Sequence, residues 1–311
     1  MFPLIRYLPE EPRIPFMKWS RLAFIASTVA ILVSIAGAFL LGLNFGIDFK
    51  GGTLIEIRTQ GPADIGALRK TIGNLKLGSF ELQEFGDPRD ILIRVENRGG
   101  EQAQQEVVRK IRAALGKGVE YRRVEVVGPK VSGELARDGI IAVLMALAGV
   151  MVYIWFRFEW QFAVGAVASL VHDVLITIGI FAFTRLEFNL SIIAALLTIV
   201  GYSLNDTVVT YDRVRENMRK FKKTPMPEII DKSINQMLSR TILTSLSTLV
   251  ALIALYLLGG EVLRGFTFTM IWGVIIGTYS SIFIAAPLLI WLNARLLDTE
   301  PGGDRKAAAR P

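Results

Sequence analysis

Six long apolar runs constrain this chain more than any other feature of its sequence. They cover approximately residues 22–43, 138–156, 160–183, 189–211, 239–258 and 265–293. Each run, as a helix, is long enough to cross about 30 Å of hydrocarbon. The 311 residues are 52% hydrophobic, which is too apolar for an ordinary soluble domain. The pattern predicts a polytopic α-helical membrane protein with six transmembrane helices.

Basic residues predict how the spans are oriented. They cluster in residues 1–21, in the loop after the fourth span and in the tail 296–311, whereas the short loops on the opposite side hold only Arg185 and Arg264. The positive-inside rule then places both termini in the cytoplasm. The first run has 22 uncharged residues, more than a signal-peptide core, so we expect an uncleaved helix. Because the +7 net charge comes from these flanks, it does not indicate a nucleic-acid partner.

Residues 44–135, between the first two spans, form the only sizeable soluble segment of the sequence. Strand-like alternation covers residues 52–59, 80–85, 90–96 and 121–127, and helical spacing of apolar residues covers 63–75 and 102–115. The order is βαββαβ, which is the order of a ferredoxin-like α+β domain. We expect this domain outside the membrane, in the periplasm, followed by a five-helix bundle over residues 136–295. The tail 296–311 is charged and rich in Gly and Ala, so we expect it to be disordered.

A cytoplasmic amphipathic segment, residues 212–238, joins the fourth and fifth spans. Within it, apolar residues from Met226 to Leu238 recur at helical spacing. Such a helix is expected either to lie in the membrane interface or to dock on the protein.

One acidic residue, Asp206, lies near the end of the fourth span, and Arg240 opens the fifth. A charged side chain at the centre of a membrane helix costs about 2.5–3.5 kcal/mol on insertion scales, so such groups usually face a bundle interior and carry function. We predict that the two pair, and that making and breaking the pair lets Asp206 take up and release a proton. Ser203, Asn205, Thr207 and Thr210 supply hydrogen-bonding neighbours. A static ion pair that fixes helix packing is the alternative.

His172 and Asp173 place two more titratable groups midway through the third span. Histidine shuttles protons near neutral pH, so this pair is a second candidate for proton coupling; a hydrogen-bonded packing pair is the alternative. With no Cys and one His, the sequence excludes a thiolate or multi-histidine metal site. We find no nucleophile, metalloprotease or nucleotide-binding motif, and therefore expect neither catalytic residues, nor a cofactor, nor a bound metal.

A glycine-rich segment connects the first span to the soluble domain. Gly46, Asp48, Gly51 and Gly52 belong to it, and no Gly-Lys-Ser/Thr follows, so it does not indicate a phosphate loop. Because glycine permits tight turns, we interpret the segment as a hinge or anchor.

Four sequence motifs together carry a family resemblance. Residues 46–53 (GIDFKGGT), 171–174 (VHDV), 201–217 (GYSLNDTVVTYDRVREN) and 239–248 (SRTILTSLST) occur in this order within residues 18–295. They resemble the SecD/SecF family of protein-export membrane proteins, part of the resistance–nodulation–division superfamily.

The resemblance implies a function as well as a fold. It implies that SecF-like members of this family pair with SecD as half-transporters in the bacterial inner membrane and associate with the SecYEG channel and YajC. They use the proton-motive force to help draw the translocating preprotein out. The resemblance assigns the family's intramembrane carboxylate and arginine to Asp206 and Arg240, with H⁺ as the coupling ion and Na⁺ as the alternative. Two other functions remain open: a scaffold that only stabilises the translocase, and a half-transporter for small-molecule efflux.

Overall fold

The computed structural model describes residues 12–96, 100–116 and 118–292, so most of the expected cytoplasmic N-terminus and the whole tail 296–311 lie outside it. In chain order the elements are α1 (Phe16–Leu40), β1 (Asn44–Phe45), α2 (Ile47–Lys50), β2 (Gly52–Thr59), α3 (Ile65–Gly73), β3 (Phe80–Phe85), β4 (Asp87–Glu96), α4 (Glu101–Leu115), β5 (Val119–Val127), α5 (Pro129–Arg157), α6 (Trp160–Thr184), β6 (Glu187–Phe188), α7 (Leu190–Lys220), α8 (Met226–Leu258), α9 (Glu261–Ser280), a π-helical turn (Ser281–Ala285) and α10 (Ala286–Trp291).

Six helical segments in the described part of the chain are long and apolar enough to cross a membrane, which confirms the six-span architecture. They are α1, α5, α6, α7, α8 and the stretch Val262–Trp291, which runs through α9, the π-helical turn and α10. The helices extend beyond the apolar runs at several ends. Phe16, for example, begins α1 six residues before the run does, because a charged residue ends a membrane-embedded run without ending a helix.

The amphipathic residues 226–238 do not form a separate helix. They are the first turns of α8, which continues unbroken to Leu258. Ile229, Ile230 and Ile234 are buried in a cluster that includes Met17 and Tyr211. The main-chain N–H of Met17 also donates to Asp231 Oδ1 at 2.8 Å. The segment therefore docks on the protein through its apolar stripe.

The soluble domain has the predicted ferredoxin-like topology. Its four-stranded sheet has the order β3-β4-β2-β5, and all neighbouring strands are antiparallel. Side chains of alternate residues on β2 and β4, such as Ile55, Ile57 and Ile93, pack with Ile72 of α3 and Ile111 of α4 into one core. The two helices thus cover one face of the sheet, and the other face is left to meet the membrane bundle.

Helices α7 and α9 pack closely against each other. A Cβ atom added to Gly273 would lie 2.2 Å from side-chain atoms of Ile199, and one added to Gly277 would lie 3.0 Å from Ser203. These glycines form the G-x-x-x-G spacing that lets membrane helices approach closely. The contact holds α9 directly against the helix that carries Asp206.

We expect Gly273→Ala to destabilise the chain by about 1–3 kcal/mol, because the added methyl group has no room beside Ile199. Gly149→Ala is the matched control, since nothing lies within 4 Å of a Cβ added there. Thermal unfolding in detergent, followed by circular dichroism, measures both variants. Equal midpoints for the two variants would contradict the packing account.

Candidate functional site

Asp206 lies partly buried where α7, α8 and the π-helical turn meet. Its two carboxylate oxygens each accept one hydroxyl: Thr241 Oγ1 donates to Oδ1 at 2.7 Å, and Ser281 Oγ donates to Oδ2 at 2.7 Å. The residue is 16 positions from Leu190, so it lies about 24 Å along α7 from the end that faces the soluble domain. An acidic group is therefore held deep in the bundle by neutral donors.

The predicted ion pair between Asp206 and Arg240 is not formed in this structure. Arg240 does lie at the same depth as Asp206. Measured from the helix ends that are remote from the soluble domain, Asp206 is 14 residues from Lys220 in α7, and Arg240 is 14 residues from Met226 in α8. However, successive helical residues project about 100° apart. Thr241 faces the carboxylate, and Arg240 is exposed on the outer surface of the bundle, with no ion pair among the described residues.

Hydroxyl partners suit an acid that changes its protonation state. A hydroxyl donates to a carboxylate and, after rotating its hydrogen, accepts from a carboxylic acid. Thr241 and Ser281 can therefore satisfy Asp206 in both states without moving any heavy atom. A fixed cation in the same place would favour the ionised form alone.

His172 and Asp173 form a second polar cluster, and both side chains are buried. Nδ1 of His172 lies 2.9 Å from Oδ1 of Asp173. Oδ2 of the same carboxylate accepts from Ser203 Oγ at 2.7 Å and from Ser280 Oγ at 2.9 Å. Both clusters thus draw on consecutive serines, because Ser280 donates to Asp173 and Ser281 donates to Asp206.

The four polar residues that were predicted to neighbour Asp206 lie in different surroundings. Ser203 is buried and belongs to the Asp173 cluster. Thr207 is buried next to Asp206 in the chain, and its Oγ1 has no hydrogen-bond partner among the described residues. Thr210 is buried one turn further on, and Asn205 is exposed on the outer surface of the bundle. None of these four residues therefore forms a hydrogen bond with the Asp206 side chain, whose partners are Thr241 and Ser281.

The sequence reasoning missed Ser280, Ser281 and Thr241, which supply three of the hydroxyls in the two clusters. Residues 278–281, Thr-Tyr-Ser-Ser, interrupt an otherwise apolar span, and that run of hydroxyls was the available signal. The π-helical turn Ser281–Ala285 starts there. Pro287 lacks an N–H for the normal α-helical bond, which accounts for an irregular ladder just before it. π-Helical turns are common at functional sites.

The glycine-rich connection is tied to the α6–α7 loop. Strand β1 pairs in parallel with β6, with Asn44 opposite Glu187 and Phe45 opposite Phe188. Gly46 N–H donates to Phe188 O at 2.9 Å, and Asp48 Oδ2 accepts from the N–H of Leu190, the first residue of α7, at 2.8 Å. The connection therefore contacts the helix that carries Asp206. Its role as a hinge or anchor stays a prediction.

Gly51 and Gly52 turn the chain from α2 into the sheet. Gly51 has φ +71° and ψ 166°, and Gly52 has φ +131°. Residues with a Cβ rarely adopt either conformation, so the Gly-Gly pair is required by the backbone geometry of this turn.

Ion pairing adds a direct link between the soluble domain and the bundle. Arg94 of β4 lies 2.6 Å from a carboxylate oxygen of Glu187. Burial raises the pKa of Glu187, and nearby Arg94 opposes that rise. Between the open face of the sheet and the helix ends lies a cavity of about 580 Å³, lined by residues such as Leu54, Arg123 and Phe268. The domain thus rests on the bundle at one edge and leaves space beside that contact.

Comparison with known families matches two regions of the chain. Residues 107–295 match the family described as "Protein export membrane protein SecD/SecF, C-terminal". Residues 38–63 match the "SecD/SecF GG Motif", which covers the connection and the start of the sheet.

Individual relatives agree with these matches. "Protein translocase subunit SecF" of Magnetococcus marinus is 50% identical over 293 residues, which cover 92% of each chain. "Protein translocase subunit SecDF" of Brucella abortus is 43% identical over 300 residues, covering 96% of this chain but only 40% of the relative. The crystal structure of SecDF from Thermus thermophilus, a translocon-associated membrane protein, superposes with a TM-score of 0.82 at 36% identity, over 91% of this chain and 39% of that one. The chain thus spans about two fifths of the SecDF proteins and nearly the full length of the SecF relative.

Proposed function

This chain belongs to the SecD/SecF family of protein-export membrane proteins, and from that membership we propose that it is a subunit of the Sec protein-translocation machinery. In this proposal it works with SecD and uses the proton-motive force to drive the late stage of preprotein export. The multi-pass chain lies in the inner membrane with both termini in the cytoplasm. SecYEG and YajC are further partners, and the chain has no enzymatic activity or bound cofactor of its own.

A polar face on the outside of the bundle is the observation that carries the proposal. It consists of Asn205 on α7 together with Arg240, Thr244 and Ser247 on α8, all exposed at membrane depth. Hydrocarbon solvates such groups poorly, and intramembrane charges usually face protein or water. The face therefore favours coverage by helices of a second subunit. In the Brucella relative named SecDF, the matching segment is part of a longer chain, which supports SecD as that subunit.

Asp206 is the proposed proton carrier, and it lies directly behind this face. Moving one charge through 100 mV releases about 2.3 kcal/mol, comparable with the 1–3 kcal/mol coupling energies typical of two-state elements. The hydroxyls of Thr241 and Ser281 satisfy the acid in both protonation states, so its charge can change inside the assembled complex. Movement of α7 then reaches the soluble domain through Asp48 and Glu187.

The test is export completion in energised vesicles that contain this chain with SecD, after the ATP-driven stage has been stopped. We expect a trapped preprotein to complete export only when a proton gradient is imposed and this chain is present. Completion without a gradient would favour the scaffold function instead. Completion with a sodium gradient in place of the proton gradient would identify Na⁺ as the coupling ion.

We expect Arg240→Leu to weaken the association with SecD by about 30-fold or more, because an interfacial charge pair loses 2–5 kcal/mol when one member is removed. The same change should leave the isolated chain as stable as before, since Arg240 is exposed there. The matched control is Arg219→Leu, which removes an exposed arginine on α7 instead of α8. Quantitative co-purification with tagged SecD measures the effect. Unchanged association would mean that Arg240 does not contact the partner.

A further inference from the structure

The His172–Asp173 cluster has an atom that structural packing leaves unexplained. His172 is 1% exposed, and its Nε2 has no hydrogen-bond partner among the described residues. Most buried polar side-chain atoms in proteins have a partner, and an unpaired one is unfavourable. A purely structural role in helix packing needs only the hydrogen bond between Nδ1 and Asp173. Such a role does not explain why the second ring nitrogen, Nε2, is buried without a partner.

The hydrogen bonds around Asp173 determine which ring nitrogen is free. Ser203 and Ser280 both donate to Oδ2, so Oδ1 is the carboxylate oxygen that faces His172. Oδ1 then requires a donor, and Nδ1–H of His172 lies 2.9 Å away. In neutral imidazole one nitrogen donates and the other accepts. Nε2 is therefore the acceptor, with its lone pair unoccupied.

We propose that His172 and Asp173 form a second proton-binding site in the bundle, which takes up a proton at Nε2 of His172 and acts in series with Asp206. The inference rests on the proposed function, because it assigns a further site to the same proton path. Uptake forms one N–H bond and breaks one O–H bond of hydronium, leaving water. The pair changes from a net charge of −1 to zero, with the imidazolium beside the carboxylate.

Neighbouring groups are compatible with a charged ring. Tyr279 stacks on His172 with ring centroids 6.0 Å apart, a distance at which an aromatic face attracts a cation. Its hydroxyl bonds to Ser27 Oγ at 2.8 Å and to Ala23 O at 3.0 Å on α1. Among the described contacts of the pair, Tyr279 is the only other titratable group, and α7 and α9 present the hydroxyls of Ser203 and Ser280.

Depth places the two proton sites in order. Asp173 is 11 residues from Thr184, about 16 Å along α6 from the end that faces the soluble domain. Asp206 is about 24 Å from the same end along α7. A proton entering from the side of the soluble domain therefore meets His172–Asp173 first. The consecutive Ser280 and Ser281 then connect this cluster to Asp206.

The chain's single histidine makes a direct test possible. The full chain, labelled with ¹⁵N in the imidazole ring and reconstituted with unlabelled SecD, gives one pair of ring nitrogen signals by solid-state NMR. We expect the Nδ1–H tautomer at high pH and the doubly protonated ring at low pH. A ring that keeps one neutral form from pH 5 to 8 would overturn the proposal.

A functional test separates this inference from the proposed function. His172→Asn keeps a donor near the Nδ1 position and removes the titratable Nε2, so we expect proton-driven export to fall tenfold or more with recovery of the complex unchanged. Thr184→Val is the matched control on the same helix, because its exposed hydroxyl donates to the helix's own backbone at Ile180 O (2.7 Å) and lies outside the cluster, and we expect near-normal export. Loss of export in Asp206→Asn together with normal export in His172→Asn would overturn only the second site. Normal export in both variants would overturn the proposed function as well.

Discussion

Replacing Asp206 with asparagine is expected to reduce proton-driven export to the rate seen without a gradient. Asparagine cannot take up a proton at neutral pH, so the work of moving one charge through the membrane potential is lost. At 100 mV this is about 2.3 kcal/mol, which corresponds to roughly 50-fold in rate. The fold should survive the change, since the amide accepts from one hydroxyl and donates to the other, and both Thr241 and Ser281 keep a partner.

The measurement is export completion in energised vesicles, with recovery of the SecD complex assayed on the same membranes. Asp212→Asn is the matched control on the same helix: its side chain is 61% exposed and forms a surface ion pair with Arg157 at 3.2 Å. Surface pairs contribute about 0–1 kcal/mol, so this variant should behave as wild type. Normal gradient-dependent export in Asp206→Asn would show that the proton is carried elsewhere.

Cross-linking the connection to the α6–α7 loop is expected to stop proton-driven export reversibly. Asn44 and Glu187 are opposite each other in the β1–β6 pair, and neighbouring strands lie about 4.8 Å apart, within the Cα separation that a disulfide spans. The chain has no native Cys, so a double Cys variant gives one defined cross-link. If the soluble domain moves relative to the bundle during export, this bond prevents the movement.

Oxidised and reduced samples of the same double variant give the comparison. We expect export near the level without a gradient after oxidation and recovery after reductant. The single variants Asn44→Cys and Glu187→Cys separate the cross-link from loss of the side chains, including the Glu187–Arg94 ion pair. Full export in the oxidised state would exclude movement at this contact as part of the mechanism.

The sequence predicts the architecture of this chain well because the membrane and the sheet both impose strong local patterns. Six apolar runs correspond to the six long helices, and the alternation in residues 52–59 and 80–85 matches β2 and β3 residue for residue. The two-residue pairing of β1 with β6 has no such pattern, because it depends on two loops that are more than 140 residues apart.

The site was harder to predict than the fold. Asp206, Asp173 and His172 are conspicuous because charged groups are unfavourable in a membrane helix. Which of two successive residues, Arg240 or Thr241, faces the acid depends on the rotation of α8 about its axis, and packing sets that rotation. Ser280 and Ser281 were missed since hydroxyl side chains bond to their own helix backbone and are common in membrane helices.

Helix α7 is uninterrupted, so a tilt at one point along it displaces its ends. α7 has 31 residues and is about 46 Å long, with Asp206 near its middle and Leu190 at the end bonded to Asp48. A tilt of about 5° around Asp206 moves the Leu190 end, about 24 Å away, by roughly 2 Å. That displacement is enough to part hydrogen bonds such as the 2.8 Å contact between Leu190 and Asp48. Such a tilt would therefore have its largest effect where the soluble domain is attached.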